Sequence, residues 1–194
     1  MITTTLNTIL CHDPCGQDPA DGTGWWLLLN TVGKTQADDE PLALLTILDS
    51  NGLDDCLWAL HCLGPEHEHW VRLFARECAS DVLHLWDAPQ VVKDYLATGD
   101  ESIRTAAWTA AWTAAGAAAG DAARAAAWTA ARAAEGAAAR AAARAAAWAA
   151  AGAAEGDAAW TAARDKQNAR LRAYLEADGC VTDRAGEPLC RPAR

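Results

Sequence analysis

The residues of this chain that could do chemistry are few, and their spacing limits what they can do. Gly33-Lys34-Thr35 matches the end of a phosphate-cradling loop. That loop has the form GxxxxGKT and follows a β-strand, with its glycines letting backbone N–H groups close on phosphate oxygens. Here the first glycine position is Leu28 and no strand-like run precedes it, so the tripeptide is not read as a nucleotide site. Cys11, His12, Cys15, His61, Cys62, His67 and His69 are all zinc-ligand types. Cys11/Cys15 has a CxxxC spacing and His67/His69 an HxH spacing. A structural zinc site needs four convergent ligands, and no second CxxC-like pair completes one. The residues are read as scattered structural groups, and no metal or other cofactor is expected. Ser50, Ser80 and Ser102 lie outside any GxSxG turn. Asp38, Asp39, Glu40, Asp54 and Asp55 are a denser group. Helix N-terminal capping accounts for them, as does an acidic surface for a basic protein partner. Catalytic carboxylates are the weakest of the three readings.

The charge distribution favours the partner reading over a nucleic-acid one. Formal net charge is -10, and it is unevenly placed. Residues 1–100 hold 16 acidic and 4 basic side chains, whereas residues 101–194 hold 10 and 12. Phosphate neutralisation needs a basic face, which the acidic half does not offer. No stretch approaches the ~18 apolar residues of a membrane span, and the opening Met1-Ile2-Thr3 has neither a basic segment nor a long apolar run behind it. Seven scattered cysteines suit a reduced, cytoplasmic protein better than a disulfide framework.

The elements that must position these residues are helical. Thr3–Leu10 can form a short helix, and the Pro-, Gly- and Asp-rich stretch 11–24 a loop. Trp25–Thr31 reads as a helix ending near Gly33. Asp38-Asp39-Glu40-Pro41 reads as a helix start, with acids at the positive end and Pro in the first turn. Asn51-Gly52 stops that helix, and Asp54 or Asp55 begins another that ends at Gly64-Pro65. Residues 66–86 form the clearest amphipathic pattern, with Trp70, Leu73, Phe74, Cys78, Val82 and Leu85 at three- and four-residue steps. Pro89 opens a further helix ending at Gly99. No convincing strand is found.

From 104 to 164 every fourth residue is Arg, Trp or Gly, and most of the rest are Ala. Alanine is the strongest helix former. A four-residue repeat, however, oversteps a helical turn by ~40° each time, so one long helix has no fixed face to pack. Gly120-Asp121 and Gly156-Asp157 resemble paired helix stops and starts, and Gly136 and Gly152 are weaker breaks. The expected solution is a set of short antiparallel helices touching through their Ala faces. Trp108, Trp128 and Trp148 are expected to fill the space that Ala leaves open, since a buried Trp removes ~150–250 Å² from water. An outward-facing aromatic row for a partner is the alternative.

The stretches VGKTQADDEPLALLTILDSNGLDDCLWAL (32–60) and HEHWVRLFARECASDVLHLW (67–86), with the AAxAAxW tract, resemble an Ala-rich family of immunity proteins found beside bacterial toxin genes and in phage genomes. The resemblance covers roughly residues 3–178, leaving out the Cys-containing tail. It implies an all-α binding protein without catalysis and does not name the partner; the preferred reading is an inhibitor of a toxin or a host defence subunit, and charge and hydropathy point to no nucleic acid and no membrane. A self-assembling structural protein, and hence a homo-oligomer, is the alternative. The expected organisation is an acidic helical region (1–100), an Ala/Trp tetrad region (101–178) forming a bundle or solenoid-like array packed on it, and a poorly ordered tail (179–194).

Overall fold

The computed structural model describes residues 1–118, 120–135, 139–154 and 157–179. The breaks expected at Gly136 and Gly156 lie outside the described residues, as does the tail beyond Gly179. The fold is all-α, about 75% helical, and among the described residues the strands form one two-stranded sheet. The chain divides into two compact units. One comprises Met1–Glu68 with the described residues from Arg172 onward, and the other His69–Leu171. The division falls between Glu68 and His69, inside the acidic region 1–100.

In the first unit, strand β1 (Thr3–Thr4) precedes helix α1 (Leu6–Cys11). Thr5 caps α1, its hydroxyl accepting from the Thr8 N–H at 3.0 Å. The loop after α1 closes on itself through the Trp25 N–H, which donates to the Cys15 carbonyl at 2.9 Å. The backbones approach so closely there that a Cβ on Gly16 would stand 2.4 Å from the Thr23 carbonyl oxygen. Helix α2 (Gly24–Thr31) follows.

The expected helix start at 38–41 is not one. Strand β2 (Leu42–Ala43) pairs antiparallel with β1, Thr3 opposite Ala43 and Thr4 opposite Leu42, and helix α3 (Leu44–Asn51) begins only after it. Proline suits entry to a short edge strand as well as a first helical turn, so Pro41 does not distinguish them. These two strands also correct the expectation of none, and β1 takes the residues assigned to the start of α1. Gly52, at φ 84°, ends α3 and turns the chain directly into α4 (Leu53–Ala59). The core of this unit uses large side chains: Leu6, Trp25, Leu29, Leu44, Ile47 and Leu57 are buried. Tyr174 and Leu175, near the end of the last helix, add to it.

The second unit opens with α5 (Glu68–Asp81), whose buried face is Trp70, Leu73, Phe74, Ala75, Cys78 and Ala79. The amphipathic stretch expected to run to 86 stops at Asp81, and a tighter turn over Leu83–Leu85 follows. A 3₁₀ turn keeps apolar residues at three-residue steps, so the pattern outlasts the α-helix. Helix α6 (Gln90–Thr98) starts after Pro89 and ends at Gly99, whose N–H donates to the Tyr95 carbonyl at 2.8 Å. Four helices then follow: α7 (Arg104–Ala117), α8 (Asp121–Glu135), α9 (Ala139–Ala154) and α10 (Asp157–Glu176). Helix α8 packs against both α7 and α9. Gly152 does not break α9. A Cβ there would lie 3.7 Å from that of Ala122, so the end of α9 runs beside the start of α8 in antiparallel fashion.

Alanine is the core of this array. Ala107, Ala111 and Ala115 form one buried stripe on α7. The central helix α8 buries pairs, Ala126/Ala127 and Ala130/Ala131, and α9 buries Ala142/Ala143 and Ala146/Ala147. Methyl groups on facing helices let the backbones come close, and the lost area per residue is offset by the number of contacts. Two polar groups are buried inside with partners: the Thr129 hydroxyl donates to the Ala125 carbonyl, and Gln167 of α10 donates to the Ala143 carbonyl of α9, each at 2.8 Å.

Candidate functional site

The five acidic residues singled out in the sequence sit in two places on the first unit. Asp38, Asp39 and Glu40 occupy the turn before β2. Lys34 reaches across to Asp38 at 2.6 Å and to Glu40 at 2.7 Å. The Asp38 carboxylate also accepts from the Glu40 N–H at 3.1 Å, and Asp39 accepts from the Asn7 amide at 2.9 Å. The hydrogen bond from Lys34 holds the Asp38 carboxyl below its usual range, and the same contact raises the Lys34 ammonium above its own. Lys34 thus pins the turn, which accounts for the Gly-Lys-Thr sequence without a phosphate. Asp54 and Asp55 lie in the first turn of α4, as expected, and Asp55 accepts from the Asn51 amide at 3.0 Å. Asp39 and Glu40 remain exposed to solvent.

Charge is the property these residues share with their surroundings. Residues 1–68 carry eleven acidic side chains and one basic one, Lys34, whereas residues 69–171 carry eleven of each. The whole net charge of -10 therefore belongs to the first 68 residues. In the second unit the charges meet each other: Arg170 of α10 contacts Glu77 at 3.1 Å and Asp81 at 3.0 Å on α5, and Arg72 contacts Glu101 at 2.6 Å.

The residues that could have held a metal are not gathered. Among the described residues no group of three His, Cys, Asp or Glu side chains is placed to hold an ion. Cys11 and Cys15 are exposed, while Cys62 is buried, as are Cys56 and Cys78 outside that set. Burial pushes the thiols of Cys56 and Cys78 up to about 12 and that of Cys62 to about 11, so none is a ready nucleophile. Ser80 donates to the Arg76 carbonyl and Ser50 to the Asn51 side chain; neither is paired with a base. A cleft of about 510 Å³ lies between the turn at 83–85, α9 and α10, walled by Val82, Leu85, Ala146 and Ala150. Two of its charged groups, Asp81 and Lys166, are bonded to each other at 2.7 Å.

Of the three tryptophans expected to fill the array, Trp148 departs from the packing expectation. Trp148 is 62% exposed and Trp112 47%, and Trp108, Trp128 and Trp160 are only half-buried. None of the tract's five rings fills the core. They meet one another on the outer side instead. Trp112 of α7 touches Trp108 at 5.6 Å and crosses Trp128 of α8 edge-on at 4.2 Å between ring centroids, and Trp148 of α9 lies 4.9 Å from Trp160 of α10. The Arg132 guanidinium covers the Trp128 ring at 5.6 Å, and Arg164 covers Trp160 at 6.0 Å. The physical reason is the tetrad itself. Trp shares its position in the repeat with Arg, four residues away along the same face, and most of the positions buried in the array are alanines.

Comparison with known protein families, curated proteins and solved structures gave no match. The likeness to Ala-rich immunity proteins therefore stands on the quoted motifs alone.

Proposed function

We propose that this chain is a non-catalytic binding protein that inhibits a partner protein, in the manner of an immunity protein or of a phage-encoded factor that blocks a toxin or a host defence complex. The observation that carries the reading is the concentration of the whole net charge in residues 1–68, where eleven carboxylates face one lysine. A surface of one sign steers an oppositely charged partner into encounter and rejects like-charged ones. Inhibition then follows from covering the partner's working surface, which needs no reactive group on this side. The compartment that fits such a role is the cytoplasm, and no helix among the described residues is long and apolar enough to cross a membrane.

The test is affinity capture from the native host's lysate, followed by reconstitution with the purified partner. One stoichiometric basic partner whose activity falls on binding is the expected result. Asp38→Asn, Asp39→Asn, Asp54→Asn and Asp55→Asn together should slow association most at low salt, where the Debye length is ~30 Å at 0.01 M against ~8 Å at 0.15 M. An acidic partner, or an association rate that the four substitutions leave unchanged at low salt, overturns the reading. A self-associating structural protein is the second reading, favoured by the exposed rings of Trp112 and Trp148.

A further inference from the structure

The cleft between the 83–85 turn, α9 and α10 has no part in the partner reading, and it lies wholly within His69–Leu171. Two contacts hold α9 to α10: the Trp148 and Trp160 rings meet at 4.9 Å, and the Gln167 amide donates to the Ala143 carbonyl at 2.8 Å. The apolar lining from these two helices is alanine, Ala146 and Ala150 on α9 and Ala162 and Ala163 on α10, and Val82 and Leu85 wall the remaining side. Methyl groups are too short to fill the gap, so a space of about 510 Å³ is left. Apolar walls around a space of that size, with a few polar groups, are the make-up of a small-molecule pocket.

The polar groups of the cleft differ in what they have left to offer. The Asp81 carboxylate is close to saturated. One oxygen accepts from Lys166 at 2.7 Å and from Arg170 at 3.2 Å, and the other meets Arg170 at 3.0 Å. That fills most of the roughly four acceptor sites of an ionised carboxylate. Lys166 spends one of its N–H donors on Asp81, and among the described residues the others have no partner. Gln167, only 2% exposed, spends one amide N–H on Ala143 and has a second left. His84 is exposed at the same cleft. The unused capacity is donor capacity, and its centre is Lys166.

We propose that this cleft binds an aliphatic carboxylate, with the alkyl chain along the alanine walls and the carboxylate on Lys166. The donors select the head group. Arg170 pairs with the same Asp81, so Lys166 does not meet that charge alone. Elsewhere in this chain one lysine holds two carboxylates at once: Lys34 meets Asp38 at 2.6 Å and Glu40 at 2.7 Å. Lys166 holds one, and a ligand supplies the second. A cationic head finds no such place, because the carboxylate of the cleft already has two cations on it. The walls select the tail. They are aliphatic, and no aromatic ring is among the described lining residues for a flat ligand to stack on. A saturated chain needs only to leave water, which the methyl-lined walls allow.

This inference depends neither on the acidic residues 1–68 nor on a protein partner. The experiment is isothermal titration calorimetry of the full chain with hexanoate, octanoate and decanoate, and with 1-octanol as the uncharged control. The expected result is saturable binding that tightens about tenfold per two-carbon step, since each CH₂ taken from water is worth roughly threefold to fourfold. 1-Octanol should bind about tenfold more weakly than octanoate, or worse, for want of the charged hydrogen bond. The net charge of -10 opposes indiscriminate uptake of anions, so binding of these acids reports a site. Lys166→Met should weaken decanoate binding about tenfold or more, and Lys166→Arg should retain most of it. Asp81 keeps Arg170 in both variants. Ala162→Leu, at an exposed position of α10, should fill the cleft and abolish binding while the helical circular dichroism stays intact. No saturable binding at low-millimolar decanoate overturns the proposal. So does 1-octanol binding as tightly as octanoate, or a decanoate affinity that Lys166→Met or Ala162→Leu leaves unchanged.

Discussion

The two units reach stability by opposite uses of the same residue types. Met1–Glu68 buries large side chains, among them Trp25, Leu44 and Leu57, and carries eleven carboxylates with one lysine, its Asp49 meeting Arg172 of the same unit. His69–Leu171 buries Trp70 and Phe74 on α5, but from α7 onward its core is mostly alanine, with Trp112 and Trp148 exposed and Trp108, Trp128 and Trp160 half-buried. Its charges are balanced, and Arg72, Lys166 and Arg170 pair with carboxylates on other elements. The difference teaches that apolar content and burial are separate properties. Where helices approach closely, a methyl group is the side chain that fits, and a larger ring is forced outward whatever its hydrophobicity.

The contrast can be broken most forcefully at Trp70. It is 0% exposed on α5, and Trp70→Ala should cost about 3–5 kcal/mol, the range for a large aromatic removed from a core. Urea unfolding followed by circular dichroism reads that loss. Next in size is the charge knot on Arg170. Burial is the largest single influence and works against its charge, but the hydrogen bond to Asp81 and the nearby Cys78, Asp81 and Glu77 together outweigh it and raise its pKa. Arg170→Met leaves Glu77 and Asp81 without that partner and should cost about 1–3 kcal/mol in the same assay. A comparable loss from Lys34→Met in the acidic unit would erase the distinction between the two regions, since Lys34 acts at the surface.

The smallest expected effect is pH-dependent. The Asp38 carboxyl is lowered in the folded chain, so its contribution is present above the unfolded value of 3.8 and lost as pH falls through the folded one. Lys34 is raised, so its contribution is present below 10.5 and lost as pH rises through its folded value. Amide exchange at the 34–40 turn should therefore speed up at both extremes while the Ala helices hold their protection. Both groups lie at the surface, so the effect stays local.

Much of this fold was legible in the sequence, and the misses have specific causes. Pro89 and Gly99 bracket α6, Asn51-Gly52 ends α3, and Asp54-Asp55 open α4, because each of these residues has a backbone preference that acts locally. The turn at 38–41 was misjudged because acids and proline before an apolar run also suit entry to a strand. Only pairing with Thr3–Thr4, some forty residues away, decides for the strand. The end of α5 at Asp81 was hidden because Leu83–Leu85 continue the apolar spacing as a tighter turn. The outward tryptophans had a signal that size and hydrophobicity obscured. Arg124, Trp128 and Arg132 share one face of α8, and arginines at that position cannot be taken inside an alanine array. Of the acidic residues, sequence located Asp54 and Asp55 correctly on α4 but could not show that Lys34 ties Asp38 and Glu40 into one turn.

Ala147 and Trp148 are adjacent on α9, one 0% and the other 62% exposed, and they test directly whether methyl groups or rings hold the tract together. The measurement is the unfolding free energy of Ala147→Leu and of Trp148→Ala, each against the parent chain, at a protein concentration low enough to keep the chain monomeric. The account predicts a loss of about 1–3 kcal/mol for the leucine, which must force the helices apart. It predicts about 1 kcal/mol or less for removing the ring, whose main loss is the contact with Trp160. A tolerated leucine together with a loss of ~3 kcal/mol or more on removing Trp148 would contradict it, and would place the rings in the core.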